Sequence, residues 1–90
     1  MDPEIRAQVL RRITEFDGTS AALGTIVRDL DGLWAAHEWD EATRKQFRRQ
    51  WGRLEEIYAG VVERRLRNLS DGELEYIRPA LAELPNLLPR

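Results

Sequence analysis

Apolar residues recur along this chain at steps of three and four, and no segment alternates in steps of two. That periodicity belongs to amphipathic helices and not to strands. Ile5, Val9, Ile13 and Phe16 line one face of a first segment, and Leu23, Ile26, Val27, Leu30, Leu33, Trp34 and His37 form the cleanest stripe in a second. Phe47, Trp51, Leu54, Tyr58 and Val61 repeat the spacing in a third, and Leu74, Ile77, Leu81, Leu84 and Leu88 in a fourth. The pattern predicts an all-α fold, a compact four-helix bundle in one domain, with helices at about 3–16, 20–37, 41–68 and 71–84.

The punctuation between the stripes fits these bounds. Asp2 is placed to cap the first helix with Pro3 at its first position, where a missing N–H costs nothing. Gly18 is the stop signal, suited to a left-handed conformation. Thr19 or Ser20 caps the second helix and Asp40 the third, with Glu41 beside its positive end. The turn between them is so short that an antiparallel hairpin is expected. Ser70 and Glu73 form a capping box before the fourth helix. Pro79 lies inside that helix and removes the hydrogen bond to the Glu75 carbonyl, so a kink or a break is expected there, with an end at Pro85 and a partly frayed tail from Asn86 to Arg90.

Composition narrows the class of protein. Ninety residues without cysteine exclude disulfides and thiolate metal sites, so helix packing must supply the stability. No apolar run approaches the roughly 18 residues that span a bilayer, and the acidic start Met1-Asp2-Pro3-Glu4 does not resemble a basic signal region. A cytoplasmic protein without membrane contact is expected. Fourteen cations against sixteen acids give a net charge of −2, which disfavours binding by phosphate counterion release.

Candidate chemistry changes the picture little. His37, the only histidine, reads as a helix-terminal residue interacting with the last carbonyls. The acids at Asp29/Asp31, Glu38/Asp40/Glu41 and Glu55/Glu56 sit at spacings that do not converge on one helix face. No phosphate loop or nucleophile elbow is present. No enzyme activity, cofactor or metal is assigned.

The third segment carries the unusual charge. Lys45, Arg49 and Arg53 stack at four-residue steps, and Arg44 stacks on Arg48. Like charges so spaced repel, and something must compensate. Asp29 and Asp31 on the neighbouring helix, with Glu41 and Glu56 nearby, are the expected internal partners; an acidic protein or nucleic acid is the external alternative. Gly60 is expected to let the fourth helix approach closely, whereas Gly52 faces outward with no internal reason. Trp39, in the polar turn, reads either as a binding anchor or as a cap on the open end of the bundle.

Trp39-Asp40-Glu41, then Phe47-Arg48-Arg49-Gln50-Trp51-Gly52-Arg53-Leu54-Glu55-Glu56-Ile57-Tyr58-Ala59, then Leu69-Ser70 with Glu73, resembles a group of small all-helical bacterial immunity proteins, which are encoded beside secreted toxins and neutralise them. The resemblance covers about residues 30–85. It implies a cytosolic protein that binds one toxin domain and blocks its active site. Unlike a typical immunity protein against a basic nuclease, this chain lacks a strong acidic surplus. The expected function is a protein-binding module, with Asp29, Asp31, Glu55 and Glu56 as charge contacts, Trp39 as anchor and Gly52 on the contact face. A self-associating helical module forming a homodimer, and a helix-turn-helix-like nucleic-acid binder, are the alternatives.

Overall fold

The structure is a computed structural model describing residues 2–89; Met1 and Arg90, at the acidic start and the end of the expected frayed tail, lie outside the described residues. Four helices follow one another: α1 (Pro3–Thr14), α2 (Ser20–Ala36), α3 (Glu41–Glu63) and α4 (Asp71–Leu87). α3 packs against both α2 and α4, and α1 lies against α2. At about 1.5 Å per residue, α3 is long enough to match the longest dimension of the molecule, 35 Å.

The stripes are the core. Leu23, Ile26 and Leu30 from α2, Phe47, Leu54 and Val61 from α3, and Ile77 and Leu84 from α4 are essentially inaccessible to solvent. α1, which ends at Thr14 and not at Phe16, contributes one fully buried side chain, Val9, with Leu10 and Ile13 packed at the margin and Phe16 joining them from the connection to α2. No helix among the described residues is long and apolar enough to cross a membrane.

The N-terminal caps fall where the sequence places them. Asp2 accepts from the Glu4 N–H, Thr19 from the Ala22 N–H and Asp40 from the Thr43 N–H. Ser70 and Glu73 exchange both bonds of the capping box, and Glu73 also pairs with Arg64 at 2.5 Å. These bonds stabilise charged carboxylates. The Thr19 hydroxyl and backbone hold Asp17 below its ordinary range. Asp40 is held below it by the Thr43 side chain and backbone, and Glu73 by the Ser70 backbone N–H first, with Arg64 adding to it. Each folded pKa lies under its unfolded value, so the stabilisation is present above about pH 4–5 and is lost as pH falls through the folded values. The melting temperature is therefore expected to drop on acidification below about pH 4.5. Glu73→Gln is expected to flatten that drop in a thermal scan; a melting temperature constant from neutral pH to about pH 3 contradicts the assignment.

The C-terminal ends differ from expectation. α3 stops at Glu63, not near Asn68. Arg65 adopts a left-handed conformation (φ 55°), its N–H bonding to the Val62 carbonyl while that of Leu66 bonds to Val61. This double closure is a Schellman motif, formed with arginine where glycine is the usual residue. Arg65→Gly is expected to raise stability by about 1 kcal/mol, read as a shifted urea midpoint at unchanged slope. A loss of stability contradicts the assigned conformation.

The released segment is used. Thr19 and Asn68 form an isolated antiparallel bridge; the Ser20 N–H donates to the Arg67 carbonyl at 2.8 Å and the Leu69 N–H to the Gly18 carbonyl at 2.9 Å. The Ser20 hydroxyl adds a bond to the Leu66 carbonyl at 2.6 Å. The connection before α2 and the connection before α4 are thus tied together. Gly18 is left-handed (φ +83°), but it serves this pairing and not the end of α1, whose cap is Glu15.

α4 runs without a break through Pro79, and through Pro85 to Leu87, beyond its expected end. The apolar line explains the extension: Leu88 is buried in the core and Leu87 packs against it. Burying these side chains offsets the hydrogen bond that Pro85 cannot donate.

Candidate functional site at the entrance to α3

α2 ends at Ala36 and α3 begins at Glu41, so the connection delivers Trp39 onto the end of the core. Its ring lies 4.5 Å from that of Phe47 and 6.0 Å from that of Trp34. Its indole N–H donates to the Trp34 carbonyl at 3.3 Å, meeting the usual need of a packed indole for a partner. Phe47 is centred among all three tryptophans, with Trp34 at 5.8 Å and Trp51 at 6.2 Å. Trp39 therefore closes the open end of the bundle.

It also forms the floor of a cleft of about 640 Å³ together with Trp34. Arg44, Lys45, Arg48 and Arg49 from the first turns of α3, with Glu41, complete its walls. Four cations against one carboxylate leave these walls a net charge of +3. Their spacing follows from the helix: Arg44 to Arg48 and Lys45 to Arg49 are each one turn, about 6 Å along the axis.

Asp29 does not answer this row. It pairs with Arg12 of α1, and Asp31 is exposed without an ion pair among the described residues. The compensation comes from elsewhere. Lys45 meets Glu41 at 3.3 Å and Arg48 meets Glu55 at 2.9 Å, both within α3. Arg44 lies over the Trp34 ring at 5.1 Å, Arg48 over Trp51 at 4.8 Å and Arg53 over Tyr76 at 5.6 Å. Arg44 and Arg49 have no carboxylate partner among the described residues. The Lys45–Glu41 pair is largely exposed and so contributes little.

The remaining expected contact residues are scattered around this site. Glu55 is held by Arg48. Glu56 accepts the Tyr76 hydroxyl at 2.9 Å, and that bond, with the neighbouring negative charge, pushes the Tyr76 phenol above its ordinary value. A Cβ at Gly52 meets nothing within 4 Å, so no internal contact requires glycine there. Gly60 does not admit α4: a Cβ there meets only the Arg64 side chain, at 3.6 Å. The glycine of close approach is Gly24, whose added Cβ would lie 2.7 Å from the Tyr58 ring. Its place beside Leu23 on the α2 stripe is the signal that marks it. His37 caps α2 without a hydrogen bond to the last carbonyls among the described residues, beside a small crevice between α1 and α2.

The site is thus an aromatic-floored basic cleft built by one helix–turn–helix corner of an all-α bundle. Among the described residues no three His, Asp or Glu side chains gather in a metal-binding group. Comparison with protein-family models, curated proteins and solved structures finds no match for this chain.

Proposed function

We propose that this chain is a protein-binding module of the immunity type, which binds and inhibits a cognate toxin domain, and that it binds through the corner where α2 meets α3. The observation that carries this reading is the cleft: Trp34 and Trp39 line it together with Arg44 and Arg49, cations with no carboxylate of their own among the described residues. Indole and guanidinium groups are the side chains that most often dominate binding energy at protein interfaces. The acids first favoured as contacts support the reading less well, since Asp29, Glu55 and Glu56 are each engaged inside the molecule.

The test is co-expression with the product of the neighbouring reading frame. Growth arrest by that product, relieved by this chain through a stable complex, is the expected result. Arrest that persists although both proteins are folded and present overturns the immunity reading.

A further inference from the structure

We infer that the cleft at the α2–α3 corner takes a short acidic segment of a partner protein, extended in conformation and carrying one aromatic side chain among its carboxylates. The inference rests on the protein-binding reading and adds the chemistry of the occupant. The wall cations come in two pairs, Arg44 with Arg48 and Lys45 with Arg49, each about 6 Å apart along the helix. Alternate residues of an extended chain point to the same side about 6–7 Å apart. Each pair holds one cation without a carboxylate partner among the described residues, Arg44 and Arg49, so carboxylates on alternate residues of an extended segment meet one free guanidinium in each pair.

Arginine presents a planar fork that a carboxylate bridges with two hydrogen bonds. Arg44 and Arg49 are free of such bridges among the described residues, and both are exposed. Arg44 is steadied over the Trp34 ring, so less side-chain freedom is lost when a carboxylate arrives. The floor selects the aromatic side chain. Trp34 and Trp39 are half-buried and stacked on each other; Arg44 already lies over Trp34, so an incoming ring meets the accessible part of Trp39, with offset or tilted geometry.

A protein segment fits better than nucleic acid. Glu38 and Asp40 come just before the same helix and Glu41 begins it, and Glu41 lines the cleft itself. The positive field is confined to about two helical turns and bounded by negative charge. That suits a few side-chain carboxylates and opposes a continuous phosphate backbone.

The experiment uses the full chain, labelled with ¹⁵N, and a synthetic peptide in which glutamate alternates with alanine around one central phenylalanine. The indole N–H signals of Trp34 and Trp39 are the readout. Saturable shifts of both are expected, weakened roughly tenfold or more by R44E/R49E and by raising salt. A lysine-for-glutamate version of the peptide is expected to leave them unmoved. Lys45→Glu serves as a second variant should R44E/R49E lower the melting temperature. Indole signals unmoved by the acidic peptide overturn the inference, as do shifts produced by single-stranded oligothymidylate but not by the peptide. Neutralisation without peptide binding removes this inference and leaves the protein-binding reading standing. Peptide binding without neutralisation removes only the immunity reading.

Discussion

Replacing Phe47 by alanine is expected to remove a large part of the stability of the fold. The side chain is wholly buried and touches the ring systems of Trp34, Trp39 and Trp51. Truncating a buried phenylalanine costs about 3–5 kcal/mol, part of it for the cavity left behind. A domain of this size has a total stability of about 5–10 kcal/mol, so the variant is left with little margin. Thermal melting is expected to fall by roughly 15–30 °C, since 1 kcal/mol shifts a small domain by about 4–8 °C. The near-ultraviolet signal of the tryptophans should weaken at temperatures where the helices persist, because the same ring organises the cleft floor. A loss under about 1 kcal/mol would show that the aromatic cluster does not hold the end of the bundle.

Gly24→Ala and Gly52→Ala should move stability in opposite directions, although both glycines lie inside helices. Either substitution gains about 1 kcal/mol of helix propensity. At Gly52 the new methyl meets nothing, so the full gain of about 1 kcal/mol is expected. At Gly24 it would lie 2.7–2.8 Å from three atoms of the Tyr58 side chain. Overpacking of that kind costs about 1–3 kcal/mol, which outweighs the gain for a net loss of up to about 2 kcal/mol in urea denaturation. The cause is a single contact, so a double-mutant cycle isolates it. In a Tyr58→Ala background, Gly24→Ala should become stabilising. If Gly24→Ala costs the same with and without the tyrosine ring, the close approach of α2 to α3 is misassigned.

The start of every helix was legible in the sequence because each is marked by side-chain chemistry. Asp2, Thr19, Asp40 and Ser70 carry the oxygen atoms that backbone N–H groups need. The stripes were legible because burial selects residue type, and Leu23, Phe47, Leu54 and Ile77 are all in the core. The end of α3 was not, because Arg65 takes a conformation that its side chain does not advertise. The pairing of Thr19 with Asn68 escaped for a related reason: its bonds are between backbone groups, which leave no residue preference. At the end of α4, Pro85 suggested a stop, and burial of Leu88 outweighed it.

The candidate site was half legible. The cation row and Trp39 stood out as residues, and the carboxylates that answer Lys45 and Arg48 lie on α3 itself. What Asp29 and Arg44 meet, however, depends on how the helices are rotated against one another, which spacing within one helix does not fix. That rotation sends Asp29 to Arg12 and leaves Arg44 over Trp34. Trp34, counted as core from its stripe, turns out to share the cleft floor.

The proposed contact surface can be decided by one comparison of binding to the cognate toxin domain that the proposal assigns to this chain. Affinity should fall at least about tenfold for R44E/R49E and remain within about twofold of wild type for E55A/E56A. The reverse order, with the cleft variant unaffected and E55A/E56A abolishing the complex, would contradict the account and return the binding surface to the acids of α3.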